Sequence, residues 1–243
     1  MTPTRHSACT LVSHGSRDPR PGMAMEQLAD LIRQKLPSHD QKKLVGVAYL
    51  ELALQPLHEQ ITDFARSAFE AGCDRLKIIP LFLSPGVHVT QDVPAEVALA
   101  QQTLRQDIII NLQPYLGSHP SLANLLIQPI TAKNSVPWIL LAHGSRHPDA
   151  QQFLETLAAK LGTSLAYWSV SASLESRVKE LIAAGNREIG ILPYFLCPGG
   201  ITDAIAVYVE TLKLQFPSVN FHLAAPLGAS VELAELIWDL INK

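Results

Sequence analysis

The sequence Ser13–Pro19, SHGSRDP, occurs a second time as Ala142–Pro148, AHGSRHP, and the two copies share His, Gly, Ser, Arg and Pro. An apolar run precedes each copy, and a segment with helical periodicity follows it. This order predicts that each copy lies on the turn between a first strand and a first helix. Because ligands of open α/β sheets bind beyond the carboxyl ends of the strands, we expect His14 and His143 at functional edges.

The repeat extends beyond this motif to the whole chain. Both halves continue with further strands that alternate with helices, and the second half is shorter around its second strand and helix. Strands that alternate with helices predict parallel sheets with right-handed crossovers. We therefore predict an α/β fold of two tandem domains, 1–132 and 133–243, each with a four-stranded parallel sheet flanked by helices.

The composition limits the class of protein. The chain has 243 residues, of which 47% are hydrophobic and 17% charged, which suffices for two cores. A net charge of −3 argues against nucleic-acid binding through a broad positive field. No apolar run reaches the roughly 18 residues of a membrane span, and the first residues lack the apolar run of a signal peptide. Three cysteines without paired spacing fit a reducing compartment, so we expect a cytoplasmic protein with no membrane partner.

Three polar side chains are predicted to meet at one edge of the first sheet. His14 follows the first strand, Glu51 the second, and His88 lies in the loop after the third. Paired neutral imidazoles suit a divalent transition metal or proton abstraction near neutral pH, and a carboxylate can assist either task. A histidine in such a loop is also often only structural, and the residues alone leave that alternative open.

Arginines lie beside both histidine loops, at positions 17, 20 and 146. They are either solvated or capping residues, or they recognise the carboxylates of an acidic ligand. The chain contains no GxGxxG, GxxxxGK[ST] or GxSxG motif, so dinucleotide-binding, P-loop and hydrolase functions lack their usual signatures. His119, in LGSHP, is a further candidate at the same edge.

The segments HGSRDP, YLEL, PLFLSPGVHVTQDVP and LGSHP, at these separations, resemble the CbiX-type sirohydrochlorin chelatases, and two tandem copies correspond to the long two-domain form. The resemblance implies insertion of cobalt(II) or iron(II) into sirohydrochlorin, in siroheme or cobalamin biosynthesis, with no permanently bound cofactor. It also implies the chelatase fold, with the ligand in a cleft between two lobes, and a monomer with internal pseudo-twofold symmetry.

By position, the resemblance assigns the two metal-handling histidines to His14 and His88 and the accessory acid to Glu51. In the second half Ile201 stands where His88 would be, and no counterpart of Glu51 is evident. We therefore expect the working site in the first half, with the second half as its lid and binding partner. The substrate-binding residues that we expect are Arg17, Arg20, Ser84, Gly86, His143 and Arg146.

A non-catalytic carrier of a tetrapyrrole or a metal would use the same two histidines, and this alternative stays open. Neither the physiological metal nor the role of His143 follows from the sequence, because imidazole ligands suit cobalt, nickel and iron alike. A periplasmic-type solute-binding protein is disfavoured, since no signal peptide is evident.

Overall fold

A computed structural model of the chain describes residues 6–36, 44–104, 107–170 and 173–242. The chain forms two compact units, of which the first comprises Met1–His119 and Ala229–Lys243 and the second Pro120–Gly228. The last helix therefore belongs to the first unit. The boundary at 132/133 follows the repeat in the sequence, and as a domain boundary it stays a prediction.

The described residues form strands that alternate with helices. In chain order, the first unit contains β1 (His6–Ser13), α1 (Pro19–Arg33), β2 (Val45–Tyr49), α2 (Leu57–Glu70), β3 (Cys73–Pro80), α3 (Val93–Leu104) and β4 (Ile109–Leu112). The second unit contains α4 (Leu122–Ala132), β5 (Trp138–Ala142), α5 (Pro148–Leu161), β6 (Ser164–Tyr167), α6 (Ser173–Ala183), β7 (Glu188–Pro193), α7 (Gly200–Gln215) and β8 (Asn220–Leu223). The chain then returns to the first unit with α8 (Val231–Ile241).

Each unit is built on a four-stranded parallel sheet, which confirms the predicted fold class. The strand order is β2–β1–β3–β4 in the first unit and β6–β5–β7–β8 in the second. From β1 the chain moves to one side for β2 and then crosses to the other side for β3. This reversal places a crevice between the carboxyl ends of β1 and β3, where open α/β sheets bind ligands.

The inner strands are apolar because helices cover the sheets. In β5 all five residues are buried, and β1 buries Ala8, Leu11 and Val12 completely. In the first unit, helix α2 adds Ile61 and Ala65 from its apolar face to the core that contains Ala8 and Val12. Complete burial of one such leucine or isoleucine side chain stabilises the fold by about 1.5–3 kcal/mol. In the part of the chain that the structure describes, no helix is both long and apolar enough to cross a bilayer.

The prolines of the third strands lie at strand ends. The sequence predicts a bend or a missing ladder bond at Pro80, because proline cannot donate a hydrogen bond. In the structure Pro80 is the last residue of β3 and Pro193 the last of β7. Backbone pairing resumes at the next residue, where Leu81 N–H donates to the carbonyl of Val12 over 2.7 Å. Each proline therefore lies at the end of its strand, and the hydrogen bonding between β1 and β3 continues past Pro80.

Helix α8 packs in the first unit through its apolar face and through a hydrogen bond at its carboxyl end. Leu233, Ile237 and Leu240 are fully buried on that face. The Lys77 ammonium group donates to the carbonyl of Ile241 at the carboxyl end of the helix, where the helix dipole favours a positive charge. This contact links α8 to β3 of the first sheet.

All three cysteines are free, as their spacing predicts. Burial raises the pKa of the Cys9 thiol to about 12 and that of Cys197 to about 11. Both side chains are therefore neutral thiols near pH 7, and thiolate chemistry is disfavoured at these positions.

The Gly190–Trp138 pair offers a test of the second sheet. The two residues are partners on β7 and β5, and a Cβ atom at Gly190 would overlap atoms of the Trp138 indole ring. We expect Gly190→Ala to lower the free energy of unfolding by about 1–3 kcal/mol through overpacking. Equilibrium denaturation followed by tryptophan fluorescence measures this change. Gly190→Ala should cost less unfolding free energy in a Trp138→Leu background than in the parent chain, and an equal or larger cost in that background would contradict the packing explanation.

Candidate metal centre

His14, Glu51 and His88 meet at the carboxyl edge of the first sheet, as the sequence predicts. Each offers a ligand atom, and these three atoms lie within 4.8 Å of one another. His14 Nε2 is 3.7 Å from Glu51 Oε2, and the two imidazole rings are edge to face with centroids 5.0 Å apart. Among the described residues this is the one group of three such side chains with metal-binding spacing.

A contact between their backbones brings His14 and Glu51 together. Glu51 N–H donates to the carbonyl of His14 over 2.8 Å, which continues the β1–β2 pairing beyond the strands. Gly15 makes this approach possible, since its φ of +96° is in the left-handed region and a Cβ atom there would overlap the Glu51 carbonyl. The glycine of the His-Gly pair is thus required by the geometry.

His88 lies in a separate helical turn that precedes α3. The turn runs from His88 to Asp92 and is π-helical, closed by a hydrogen bond from Val93 N–H to the His88 carbonyl. At its start the Gly86 carbonyl accepts the N–H groups of Val89 and Thr90. Such wide turns occur frequently at functional sites.

Asp92 does not begin a helix, although aspartate before an apolar helical segment usually predicts an N-cap. Helical conformation already exists at Val87, so the helical segment starts earlier than the sequence indicates. The Asp92 carboxylate instead lies 2.8 Å from Nδ1 of His88. Sequence analysis missed this contact, whose only signal is the spacing of four residues between His88 and Asp92.

The donor set fits a transition metal. Two imidazole nitrogens and one carboxylate oxygen suit cobalt, nickel, iron or zinc, and the hard cations calcium and magnesium prefer oxygen alone. About half of the His14 and Glu51 side chains is exposed, at 49% and 51%, so the centre is open to solvent. Three protein ligands leave further coordination positions for water or substrate atoms.

A cavity of about 470 Å³ adjoins this centre on the β2 side. It is lined by Tyr49 at the end of β2 and by the β1–α1 and β2–α2 loops, including Gly15, Leu52 and Leu54. Leu52 has a φ of +60°, and both leucines are exposed. A non-glycine residue with positive φ is strained, and such strain is concentrated at functional sites. The loop after Glu51 therefore presents apolar surface next to the candidate metal ligands.

The arginines predicted to bind substrate occupy different environments. Arg17 is exposed beside His14. The guanidinium of Arg20 donates to the Asp18 carboxylate over 3.0 Å, and the same carboxylate caps α1 through the Arg20 N–H. In the second unit Arg146 is exposed. Arg20 is thus partly engaged in capping, one of the two alternatives that the sequence leaves open.

Of the other predicted residues, Ser84 and Gly86 lie partly buried in the loop before His88. His119 is buried, with its Nε2 3.8 Å from the Asp239 carboxylate of α8. His119 therefore has a position against the last helix and is absent from the metal-binding group.

The second unit repeats the frame of this site and lacks two of its ligands. Ser169 N–H donates to the carbonyl of His143 over 2.8 Å, and Gly144 has a φ of +100°, as at Gly15. Ser169 therefore stands where Glu51 does, an equivalence that the sequence analysis missed although Tyr-Trp-Ser matches Tyr-Leu-Glu. Ile201 takes the place of His88, as predicted, and one imidazole is left.

These features define a class: parallel α/β proteins of two similar units, one of which has two histidines and a carboxylate with metal-binding spacing at the carboxyl edge of its sheet. The sequence model of the CbiX family matches residues 8–133 and 137–243. The chain belongs to the CbiX family.

Known proteins resemble this chain in sequence, in fold, or in both. A sirohydrochlorin cobaltochelatase of Priestia megaterium is 24% identical over 242 residues, which cover 93% of this chain and 76% of that protein. The structure of SirB from Bacillus subtilis with Fe³⁺ superposes with a TM-score of 0.79 at 17% identity, over 97% of this chain and 94% of SirB. The sirohydrochlorin chelatase SirB from the subspecies spizizenii, in complex with cobalt, gives a TM-score of 0.72 at 18% identity, with the same coverage of both chains. These two likenesses show that the fold is shared over 97% of the chain.

The contact at Gly15 yields a prediction with a matched control. Gly15 and Gly72 have similar φ angles, +96° and +88°, and only Gly15 has atoms within contact distance of an added Cβ. Gly72→Ala should cost about 1–2 kcal/mol of unfolding free energy for the left-handed conformation. Gly15→Ala should cost more and weaken cobalt(II) binding, because the Glu51 backbone must move. Chemical denaturation and a cobalt(II) titration measure the two effects, and equal behaviour of the variants would contradict the role of Gly15.

Proposed function

We propose that His14, Glu51 and His88 hold a divalent metal and deliver it to sirohydrochlorin, and that the chain thereby acts as a sirohydrochlorin cobaltochelatase or ferrochelatase in siroheme or cobalamin biosynthesis. The observation that carries the proposal is the convergence of the three ligand atoms within 4.8 Å at the sheet edge. Membership of the CbiX family and the likeness to sirohydrochlorin cobaltochelatases support the choice of substrate. Cobalt(II) or iron(II) is the substrate metal, with no permanently bound cofactor.

The reaction exchanges one M²⁺ ion for the two protons of the pyrrole N–H groups, so the charge of the macrocycle core is unchanged. The metal must lose water ligands while the macrocycle loses those protons. A ligand atom that releases the metal regains its lone pair and can then accept a proton. His14, His88 and Glu51 therefore suffice for both tasks in sequence: three atoms hold the ion, and two of them take the protons as the ion leaves.

Imidazole suits this double task at cellular pH. Its ordinary pKa near 6.5 makes it a competent proton acceptor, and in the neutral form it is a good ligand for cobalt and iron. The carboxylate of Glu51 adds negative charge beside His14, at 3.7 Å, and this charge attracts a bound metal cation. The two kinds of group thus support metal delivery and proton removal on the same face of the macrocycle.

The surroundings of the centre suit a large, flat and acidic substrate. Leu52 and Leu54 present apolar surface beside Glu51, and a macrocycle face can rest on such side chains. Sirohydrochlorin carries eight carboxylates, and we propose that polar residues from both units bind them. The residues proposed are Arg17, Arg20, Ser84 and Gly86 of the first unit and His143 and Arg146 of the second.

Multiple-turnover chelation tests this function. Catalytic amounts of the protein, mixed anaerobically with sirohydrochlorin and excess cobalt(II) or iron(II), should convert many equivalents faster than the spontaneous reaction, as followed by absorbance. His88→Ala should slow conversion by at least about 100-fold, since a lost acid–base group alone costs about 10²–10⁴-fold. The control is His222→Ala, which removes another histidine paired with a carboxylate, here Glu188 at 3.2 Å in the second unit.

The outcomes separate the enzyme from a carrier. A spectral change that stops at one equivalent of protein would identify a carrier and refute the chelatase function. Normal turnover by His88→Ala would refute the assignment of the site even if chelation itself occurs. Equal losses in His88→Ala and His222→Ala would show a general effect on the fold and contradict a specific role for His88.

A further inference from the structure

We propose that Asp92 is a positioning residue of the metal centre, whose carboxylate holds the His88 imidazole in the tautomer that leaves Nε2 free to bind the metal. This inference rests on the proposed role of His88 as a ligand, and it adds a residue to which neither the family resemblance nor the sequence motif assigns a role. It concerns a single contact, 2.8 Å between Asp92 Oδ2 and His88 Nδ1.

The chemistry of the contact fixes the tautomer. An ionised carboxylate can only accept hydrogen bonds, so the neutral His88 ring must carry its proton on Nδ1 to pair with Asp92. Nε2 then holds the lone pair that a metal requires. Without the partner, a neutral imidazole exchanges between both tautomers, and part of the population carries its proton on Nε2. Carboxylates in this position also increase the basicity of the ligand nitrogen.

The backbone holds donor and acceptor in one rigid piece. His88 and Asp92 are the first and last residues of the π-helical turn, and the spacing of four residues puts them on the same helical face. The turn is closed at both ends by backbone hydrogen bonds, from Val93 to His88 and from Thr90 to Gly86. Phe82 further restricts the imidazole, with ring centroids 5.8 Å apart. The orientation of the His88 ring is therefore fixed by its own helical turn together with Asp92 and Phe82.

His14 has no comparable anchor. Its Nδ1 lies 3.3 Å from the backbone oxygen of the adjacent Gly15, and its Nε2 is 3.7 Å from Glu51, beyond hydrogen-bond distance. Of the two imidazoles, His88 is the one with a charged partner at short range. Loss of Asp92 should therefore change the tautomer of the His88 ring, because the described residues offer Nδ1 no other partner that would hold its proton there.

The second unit supports treating His88 and Asp92 as a pair. Ile201 stands at the position of His88 in the sequence alignment, and beyond it the buried residues Ile205, Val209 and Leu212 of α7 have the spacing of Val93, Val97 and Ala100 in α3, so Ile205 corresponds to Val93. Ile205 is fully buried in α7 and belongs to the core of that unit. The described part of α7 is α-helical from its first residue and has no counterpart of the π-helical turn that carries Asp92, so the second unit lacks both the histidine and the turn that places its carboxylate partner.

The chain offers a matched control in the pair His58–Glu96. His58 Nδ1 is also 2.8 Å from a carboxylate oxygen, Glu96 Oε2, and both side chains are half-buried. These residues belong to α2 and α3 and are absent from the metal-binding group. Removing Glu96 breaks a histidine–carboxylate contact of the same length without touching the proposed centre.

The first experiment measures cobalt(II) affinity of the intact chain without any tetrapyrrole, by titration calorimetry. Asp92→Ala should raise the dissociation constant by about 10–100-fold, the usual effect of losing a carboxylate partner of a histidine ligand. Asp92→Asn should stay within a few-fold of the parent protein, because its side-chain oxygen still accepts from Nδ1. Glu96→Ala should leave the affinity unchanged. A loss in Asp92→Asn as large as in Asp92→Ala would show that only the charge matters and would overturn the positioning role.

The second experiment reads the tautomer directly. Nitrogen-15 NMR of the histidine rings, in metal-free protein above pH 8, should show the Nδ1–H form of His88 in the parent chain and in Asp92→Asn. Asp92→Ala should shift His88 toward the Nε2–H form, with thermal unfolding as a check that the fold persists. An unchanged tautomer in Asp92→Ala would refute the inference.

Failure of the inference is distinguishable from failure of the proposed function. If the parent chain binds no cobalt(II), the metal centre itself is wrong, and the inference fails with it. If the parent chain binds cobalt(II) and Asp92→Ala binds it equally well, the centre stands and only the role of Asp92 is refuted.

Discussion

The metal centre depends on how closely two loop backbones approach each other beyond the ends of β1 and β2. Glu51 donates its N–H to the carbonyl of His14, and Gly15 leaves no atom in the way. That hydrogen bond fixes the separation of the two backbone segments that carry His14 and Glu51. The third ligand, His88, arrives on an independent turn after β3, across the crevice where the strand order reverses.

The two units show that this frame and its ligands are separable. The second unit keeps the histidine, the left-handed glycine and the backbone hydrogen bond, here between Ser169 and His143. It has Ser169 and Ile201 where the first unit has Glu51 and His88. The close approach of the loops is thus common to both units, whereas among the described residues only the first unit brings two imidazoles and a carboxylate together at metal-binding spacing.

Much of this could be predicted from the sequence, because parallel strands place the residues that follow them at one edge. The alternation of strands and helices therefore predicted both sheets and the meeting of His14, Glu51 and His88. The start of the helix after His88 could not be predicted, since Asp92 is a good N-cap by propensity and its contact with an imidazole is a tertiary choice. The return of α8 to the first unit likewise depends on packing that has no local signal.

The most direct test of this account is a crystal structure of the chain soaked in cobalt(II), with anomalous scattering to locate the metal. The account predicts one cobalt ion within about 2.3 Å of Nε2 of His14, Nε2 of His88 and a carboxylate oxygen of Glu51, a bonding distance for such ligands. It predicts no ordered cobalt at His143, where a single imidazole remains. Cobalt bound at His143 or at other side chains, with the three residues of the first unit unligated, would contradict the account.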